Sequence, residues 1–361
     1  MIEVEAGCTL GDLTALLASK GWILPVLPGT GAVTIGGAIA NDVHGKNHRD
    51  KGSFGQHVNW IDISNPKGIQ RLTPNDRAFQ ATIGGLGQTG AILRANIQLM
   101  PCPGSRVSVK ERRMDNIDAF LDAFDQSKAP FQVGWIDTTA KGRSLGRGIF
   151  EEGELATGSA GPTKTPLRIP LPAPKATLSP PVVRVFNAAY LRRCPPAGRT
   201  VSRTLQQFFF PLDGLSDWNK LYGRPGFHQF QCVVPEGAED VLRQILTTLA
   251  ESGGASPLAV IKLLGPGHVG DLSFPMAGTT LAVDLKNDAL GRQLIASFNK
   301  LAVTSGGRVY LAKDSLLSAE LAHTMLPDLL DWQETVKEID PQHHFETDLV
   351  RRLALRGRAY A

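Results

Sequence analysis

The chain has 361 residues, 42% of them hydrophobic and 20% charged, a composition that favours two globular domains with a real core over one. A formal charge of +4 and a pI near 8.9 suit an anionic ligand or an anionic membrane surface. That excess is small and forms no Lys/Arg-rich block, which excludes the usual signature of a nucleic-acid partner.

In chain order, Met1 to Gly7 reads as a strand entering a turn in mid-domain, as though the reading frame begins inside a fold. Thr9 caps a helix, with Asp12 three residues on as in a capping box and Leu10, Leu13, Leu16 and Leu17 at helical spacing; Gly21 closes it. Pro25 to Gly55, rich in Gly, Thr, Asn and His, is expected as a functional loop with short pieces of structure. Strands are expected at Asn59–Ile63 and Ala91–Leu99 around a glycine cluster at 84–90, and Pro101 to Gly104 marks a domain boundary. Val107–Glu111 reads as strand and Ile117–Ala123 as helix, while Gly153 to Pro181, rich in Pro, Gly, Ser and Thr, is expected as a mobile excursion. Strands resume at Gln229–Val234, Leu258–Leu264, Thr280–Leu285 and Arg308–Ala312, with helices over Ala238–Glu251 and Ala289–Thr304. Two helical patterns, Ser318–Lys337 and Phe345–Leu355, close the chain.

Cys8, Cys102, Cys194 and Cys232 form no CxxC pair, so buried free thiols are expected rather than a zinc site or a disulfide framework. No apolar run has the length of a membrane span, so membrane contact would be peripheral. The chain as given opens without a basic-then-apolar leader, which leaves the compartment between cytoplasm and membrane surface.

Gly85 to Gly90 fits GxGxxG, but Ala91 to Leu99 alternates like a strand, and a dinucleotide-binding Rossmann turn requires a helix there. The series Pro28-Gly29-Thr30-Gly31 and Thr34-Ile35-Gly36-Gly37-Ala38 offers backbone N–H groups to a large polar ligand, although tight turns alone would look similar. His44 and His48 have the i, i+4 spacing of a metal pair, but Gly45 and Asn47 argue against the helix that pair needs, and no metal is expected.

Val33 to Ala38, His44-Gly45 and the cluster ending in Thr89-Gly90-Ala91-Ile92 resemble the vanillyl-alcohol-oxidase superfamily of FAD enzymes with a PCMH-type cofactor domain. Within it, the chain is most similar to the oxidase subunits of decaprenylphosphoryl-ribose 2′-epimerases. That likeness rests on His44 to His48, Gly52 to Gly55, Lys262 to Gly267, Leu272 to Pro275, Ala312 to Ser315 and Asp348 to Leu353.

The resemblance implies an α+β fold, with an N-terminally truncated PCMH-type FAD-binding domain and a mixed-sheet substrate domain. Residues 1–104 would be the second half of the FAD domain, 105–307 the substrate domain, and 308–361 the return to the first. In relatives the loop gripping the FAD pyrophosphate precedes the equivalent of Glu3–Ala6, a region this sequence lacks. A covalent flavin link made from that region could not form here. By position, Pro28, Gly29, Thr30, Thr34, Gly36, Gly37, Asn41, His44, Gly45, Lys46, Ile92 and Tyr310 would touch FAD. Trp135, Gln229, Gln231, Lys262, Thr280 and Lys313 would line the substrate, with Lys313 and His44 catalytic. Phe209 stands where relatives have Tyr, Thr280 where they have Asn, and Ala282 where some have Cys, which bears on the identity of the sugar.

The activity implied is oxidation of the 2-hydroxyl of a polyprenyl-phosphoryl pentose to a ketone, completed by a short-chain reductase partner, with peripheral membrane contact through the Gly153 to Pro181 excursion. The alternatives are oxidation of an aldonolactone or alditol, and an inactive remnant with weak FAD binding. A lysine beside an apolar ring would have a lowered pKa, making Lys313 either a base or, protonated, a stabiliser of negative charge. Lys262, inside the apolar run Ala259 to Leu264, either faces a substrate phosphate or hydroxyl or lies on a solvated edge. Gln229 and Gln231, two apart on a strand, share one face and could hold sugar hydroxyls together.

Overall fold

Strands of alternating burial build two large antiparallel sheets, beside two two-stranded ones, in the computed structural model, which describes residues 1–161 and 166–357. The larger has eight strands, in the order Arg199–Thr204, Arg106–Met114, Gly148–Ala156, Phe131–Ile136, Ala259–Leu264, Gly278–Lys286, Phe227–Val234 and Arg308–Val309. The smaller has four, in the order Ile2–Glu5, Ala91–Ile97, Val58–Asn65 and Gly68–Leu72.

Register decides which residues meet. Residues directly opposite across a ladder point to the same side of a sheet. Gln229 lies opposite Asp284, Gln231 opposite Ala282, Lys262 opposite Thr280, and Val260 opposite both Ala282 and Trp135. Trp135, Lys262, Thr280, Gln229, Gln231 and Asp284 therefore share one face. The opposite face carries Phe230, Cys232, Leu281, Val283 and Ile261, all buried. They pack in one core with residues of the helices Ile117–Gln126, Glu239–Ser252 and Ala289–Thr304. Helices on one side leave the other free for chemistry, the α+β arrangement expected.

A second core fills the smaller sheet and the capped helix Leu10–Ala18, where Thr9 accepts from the Asp12 amide at 3.2 Å. Asp12 does not complete a capping box, since its carboxylate takes the Thr9 hydroxyl at 2.7 Å. The glycine cluster turns directly into the strand Ala91–Ile97, so the Rossmann arrangement is absent, as expected. Gly90 sits at φ 137°, and a Cβ there would meet the Ser64 carbonyl at 2.5 Å.

The loop Pro25 to Gly55 carries short pieces of structure as expected, the helices Ile35–Ala40 and His48–Lys51. Several other elements differ from expectation. The excursion begins only after the strand Gly148–Ala156, pairs Leu167–Arg168 with Leu215–Ser216, and gives way to the helix Pro180–Arg192; its residues 162–165 lie outside those described. That helix escaped a reading by composition because Pro180 and Pro181, which look like breakers, occupy its first turn, where no amide hydrogen is needed. The strand from Arg308 stops at Val309, and Leu311–Lys313 is a 3₁₀ turn. Cys8 is exposed, unlike the other three thiols.

The pattern from Ser318 splits at Leu326-Pro327 into Ala319–Met325 and Leu329–Ile339, because proline disfavours helix in the residue before it. Trp332, fully buried on the second helix, donates its indole N–H to the Ala81 carbonyl at 3.0 Å, bolting the tail to the helix Arg77–Thr82. Trp332→Ala is expected to cost about 3–5 kcal/mol, read as a lower urea midpoint at unchanged slope.

Candidate functional site

Small residues open a groove beside the smaller sheet. Ala6, Gly7, Gly36, Gly37, Gly87 and Gly90 line it with Thr34, Ala40, Ala91 and Ile92. The Gly36 amide donates to the Ala6 carbonyl and the Ile35 amide to Cys8, each at 2.9 Å, laying these two stretches side by side. Thr34 caps the helix Ile35–Ala40 by accepting from the Gly37 amide at 3.1 Å. With hardly a side chain beyond Cβ in its lining, the groove lets a flat, polar-edged molecule lie against main chain. That is the room a flavin cofactor needs.

Of the residues expected at FAD, Thr34, Gly36, Gly37 and Ile92 meet in this groove. Asn41 and Tyr310 line an adjoining cavity with Phe274 and Arg308. Pro28, Gly29 and Thr30 are outside the lining of both. The turn they form is tied to Asp213, which accepts from the Thr30 hydroxyl at 2.6 Å and the Gly31 amide at 2.7 Å. Gly45 packs against its own loop, since a Cβ would come within 3.0 Å of the Leu27 carbonyl.

His44 joins the groove side to the large sheet. Its ring lies 5.2 Å from that of Tyr310 and 5.3 Å from that of Phe274. Burial, then the charges of Lys262, His48 and Lys313, hold its pKa well below the ordinary 6.5, so the imidazole is neutral. The Gln231 amide nitrogen stands 3.0 Å from Nε2 and also donates to the Thr280 hydroxyl at 3.1 Å. With the amide so assigned, Nε2 accepts and the proton resides on Nδ1, a buried atom without a partner among the described residues.

Three lysines surround this centre. Lys262 is pushed down to about 7 by burial and then by Lys313 and Lys46, so its charged neighbours are further cations. Lys46 is brought down to about 8 by burial, against the attraction of Glu151. Its ammonium donates to the Phe208 carbonyl and stands 4.1 Å over the Phe208 ring. Lys313 is lowered by burial, with Asp284 partly offsetting the shift. Trp135 shares the sheet face, but its indole N–H is taken by the Pro257 carbonyl at 3.1 Å, and its ring packs tilted against Tyr190 with centroids 4.5 Å apart.

Gln229 reaches a residue the sequence reading missed. Buried Asp284 accepts from Gln229 at 2.9 Å and from the Tyr222 hydroxyl at 2.7 Å, while burial raises its pKa. The signal was available: Thr280, Ala282 and Asp284 alternate along one strand, so a site claimed by the first two extends to the third. His48 was weighed only as half of a metal pair. Its ring centroid is 6.4 Å from that of His44, Nδ1 accepts from the Gly265 amide at 3.1 Å, and Nε2 is buried without a partner. Among the described residues no cluster of metal-ligating side chains occurs.

Comparison with known proteins places this arrangement. A family model described as "FAD binding domain" matches residues 1–73. The decaprenylphosphoryl-beta-D-ribose oxidase of Mycolicibacterium smegmatis is 35% identical over 375 residues, spanning 98% of this chain and 81% of the relative. An uncharacterized protein in the mprA 5′ region of Streptomyces coelicolor is 33% identical over 96% of this chain and 100% of its own. Among solved structures, the Physcomitrella patens BBE-like 1 protein superposes with a TM-score of 0.65 at 14% identity, covering 95% of this chain and 76% of the other, a likeness of fold. The chain belongs to the family that contains decaprenylphosphoryl-beta-D-ribose oxidase, and it is an FAD-dependent oxidoreductase.

Proposed function

We propose that this chain oxidises the 2-hydroxyl of a polyprenyl-phosphoryl pentose to a ketone. The observation that carries the reading is the convergence of Lys46, Lys313 and a neutral His44 around Lys262 of the sheet face, beside the cofactor groove. Lys262, whose charged neighbours are cations, is matched to an anion from outside, and a sugar phosphate supplies one. The relative's own substrate, as its name states, is a decaprenylphosphoryl ribose.

Thr34, Gly36, Gly37 and Ile92 would hold FAD along the groove, with Asn41, Tyr310 and His44 at its inner end. Bound there, FAD supplies the acceptor for the hydride that leaves the carbinol carbon. The remaining work falls to side chains. The free Nδ1–H of His44 donates to the reacting oxygen, with Gln231 holding the ring in the tautomer that leaves that proton available. Lys313, its basicity reduced by burial, takes the hydroxyl proton, and Asp284 restrains how far that reduction goes. Gln229 and Tyr222 hold Asp284 in place.

The division into a cofactor part, 1–104 with 308–361, and a substrate part, 105–307, belongs to the same proposal. Contacts between Leu329–Ile339 and Arg77–Thr82 support it.

Two measurements test the reading. Lys313→Met in the FAD-loaded protein should lower kcat by roughly 10²–10⁴-fold while the bound-flavin absorption band is retained; unchanged turnover of the phosphoryl pentose would remove Lys313 from the chemistry. If Lys262 must be protonated to hold the phosphate, kcat/KM should fall as pH rises through about 7. Lys262→Met should be slower throughout and lack that falling limb; a limb that persists would assign it to another group.

A further inference from the structure

We propose that the exposed face of the helix Pro180–Arg192 docks on an anionic lipid bilayer. Twelve large hydrophobic residues are exposed among those described, and five of them fall between residues 167 and 186. Leu171 is 74% exposed and Val185 71%. Val182, Val185 and Phe186 recur at the spacing of one helical stripe, with Ala189 continuing it, while Val183 and Asn187 on the other side are buried. Isolated surface hydrophobics need no partner, but three at helical spacing on one exposed helix face form a contact surface.

Charge selects the partner. From Leu155 to Leu212, a stretch of 58 residues, the sequence has no Asp or Glu and eight Lys or Arg. The chain's net charge is +4, so all the rest together carries 4 − 8 = −4. Arg193, Arg199 and Arg203 are engaged by Glu111 and Glu151, and Arg168 pairs with Asp217. Arg184 and Arg192 stand exposed on the helix that carries the apolar stripe. Apolar side chains flanked by arginines on a helix lying flat on the protein are the pattern of an interfacial anchor: the apolar face enters the headgroup boundary and the guanidiniums meet lipid phosphates. No helix among the described residues is long and apolar enough to cross a membrane, so this contact would be made from the surface.

The face is also continuous with the site. Phe186 stacks on Tyr190 at 6.0 Å and Tyr190 packs tilted against Trp135 at 4.5 Å, an aromatic path from the exposed stripe to the sheet face that bears Lys262 and Gln231. From the other side, the Ala173 amide donates to the Lys220 carbonyl, and Tyr222, two residues further on, hydrogen-bonds Asp284. A lipid-linked sugar could thus keep its apolar tail in the bilayer while its head group reaches the lysines. This purpose rests on the proposed substrate, whereas the stripe and its charge stand without it.

The test is sedimentation of the full FAD-loaded chain with vesicles of phosphatidylcholine containing phosphatidylglycerol, and with phosphatidylcholine alone. The protein should pellet with the anionic vesicles, less at high salt, and poorly with the neutral ones. Val185→Glu and Val182→Glu should each weaken partitioning by about tenfold or more, with flavin absorbance unchanged because both side chains are exposed on the helix surface. Wild-type protein that stays in the supernatant, or variants that pellet like wild type, would overturn the proposal. So would a dimer in size-exclusion chromatography that Val185→Glu splits, since a second copy would then be what covers the stripe. A soluble short-chain phosphoryl pentose separates this from the functional reading. Failure to bleach the flavin sinks that reading, while vesicle binding still decides docking.

Discussion

The crowding of positive charge on a half-buried surface is the constraint on which the rest of this structure depends. Lys262 stands near Lys313 and Lys46, and His44 near two of the three. Taking cations out of water beside other cations is unfavourable twice over, through lost hydration and through repulsion. The fold answers by lowering the basicity of each group, so that the cluster is only partly charged near neutral pH. It also places one buried carboxylate, Asp284, at the Lys313 end, held by two hydrogen bonds. What remains is a surface that gains most when an anion arrives.

Such a surface needs a stiff support, since groups that repel would otherwise drift apart. The helices behind the sheet provide it, with Phe230, Leu281 and Phe298 among the side chains buried there. At the far edge a buried ionic cluster does similar work: Glu111, with no exposed surface, takes Arg193, Arg199 and Arg203 together. Buried ion pairs are poor sources of net stability but strong specifiers of register when every lone pair is met. Here the cluster locks the strand Arg199–Thr204 to Arg106–Met114. It also keeps Glu151 near Lys46, the only one of the three lysines whose raising neighbour is a glutamate.

What was legible in the sequence follows from these demands. Helices with a clean stripe and a side-chain cap, such as Leu10–Ala18 behind Thr9 and Ala289–Thr304 behind Asp288, could be read from residues alone. The strands Gly148–Ala156 and Arg199–Thr204 could not. Glu151 on the first pairs with Arg203, 52 residues away, and Arg199 on the second with Glu111, 88 residues away, so each strand alone looks like solvated loop. The site itself was visible as a set of motifs, because a cofactor groove needs small residues in a fixed series. Asp284 was legible only through its alternation with Thr280 and Ala282 on one strand, while nothing local to Tyr222 signals its hydrogen bond to that carboxylate.

The pair His44 and Gln231 shows why such distance matters for chemistry. A buried imidazole without a defined hydrogen bond could present either nitrogen to a substrate, and the two tautomers have opposite capacities at a given position. Gln231 removes the ambiguity only because its own oxygen and nitrogen are sorted, and Thr280 does that sorting by accepting from the same amide nitrogen. The Thr280 hydroxyl is in turn fixed by donating to the Cys232 carbonyl at 2.7 Å. An asparagine at position 280 could meet the Gln231 amide nitrogen only with its own carbonyl and would hold a second amide to be oriented. With threonine, one rotatable hydroxyl anchored to the backbone sets the direction of the whole chain from Cys232 to His44.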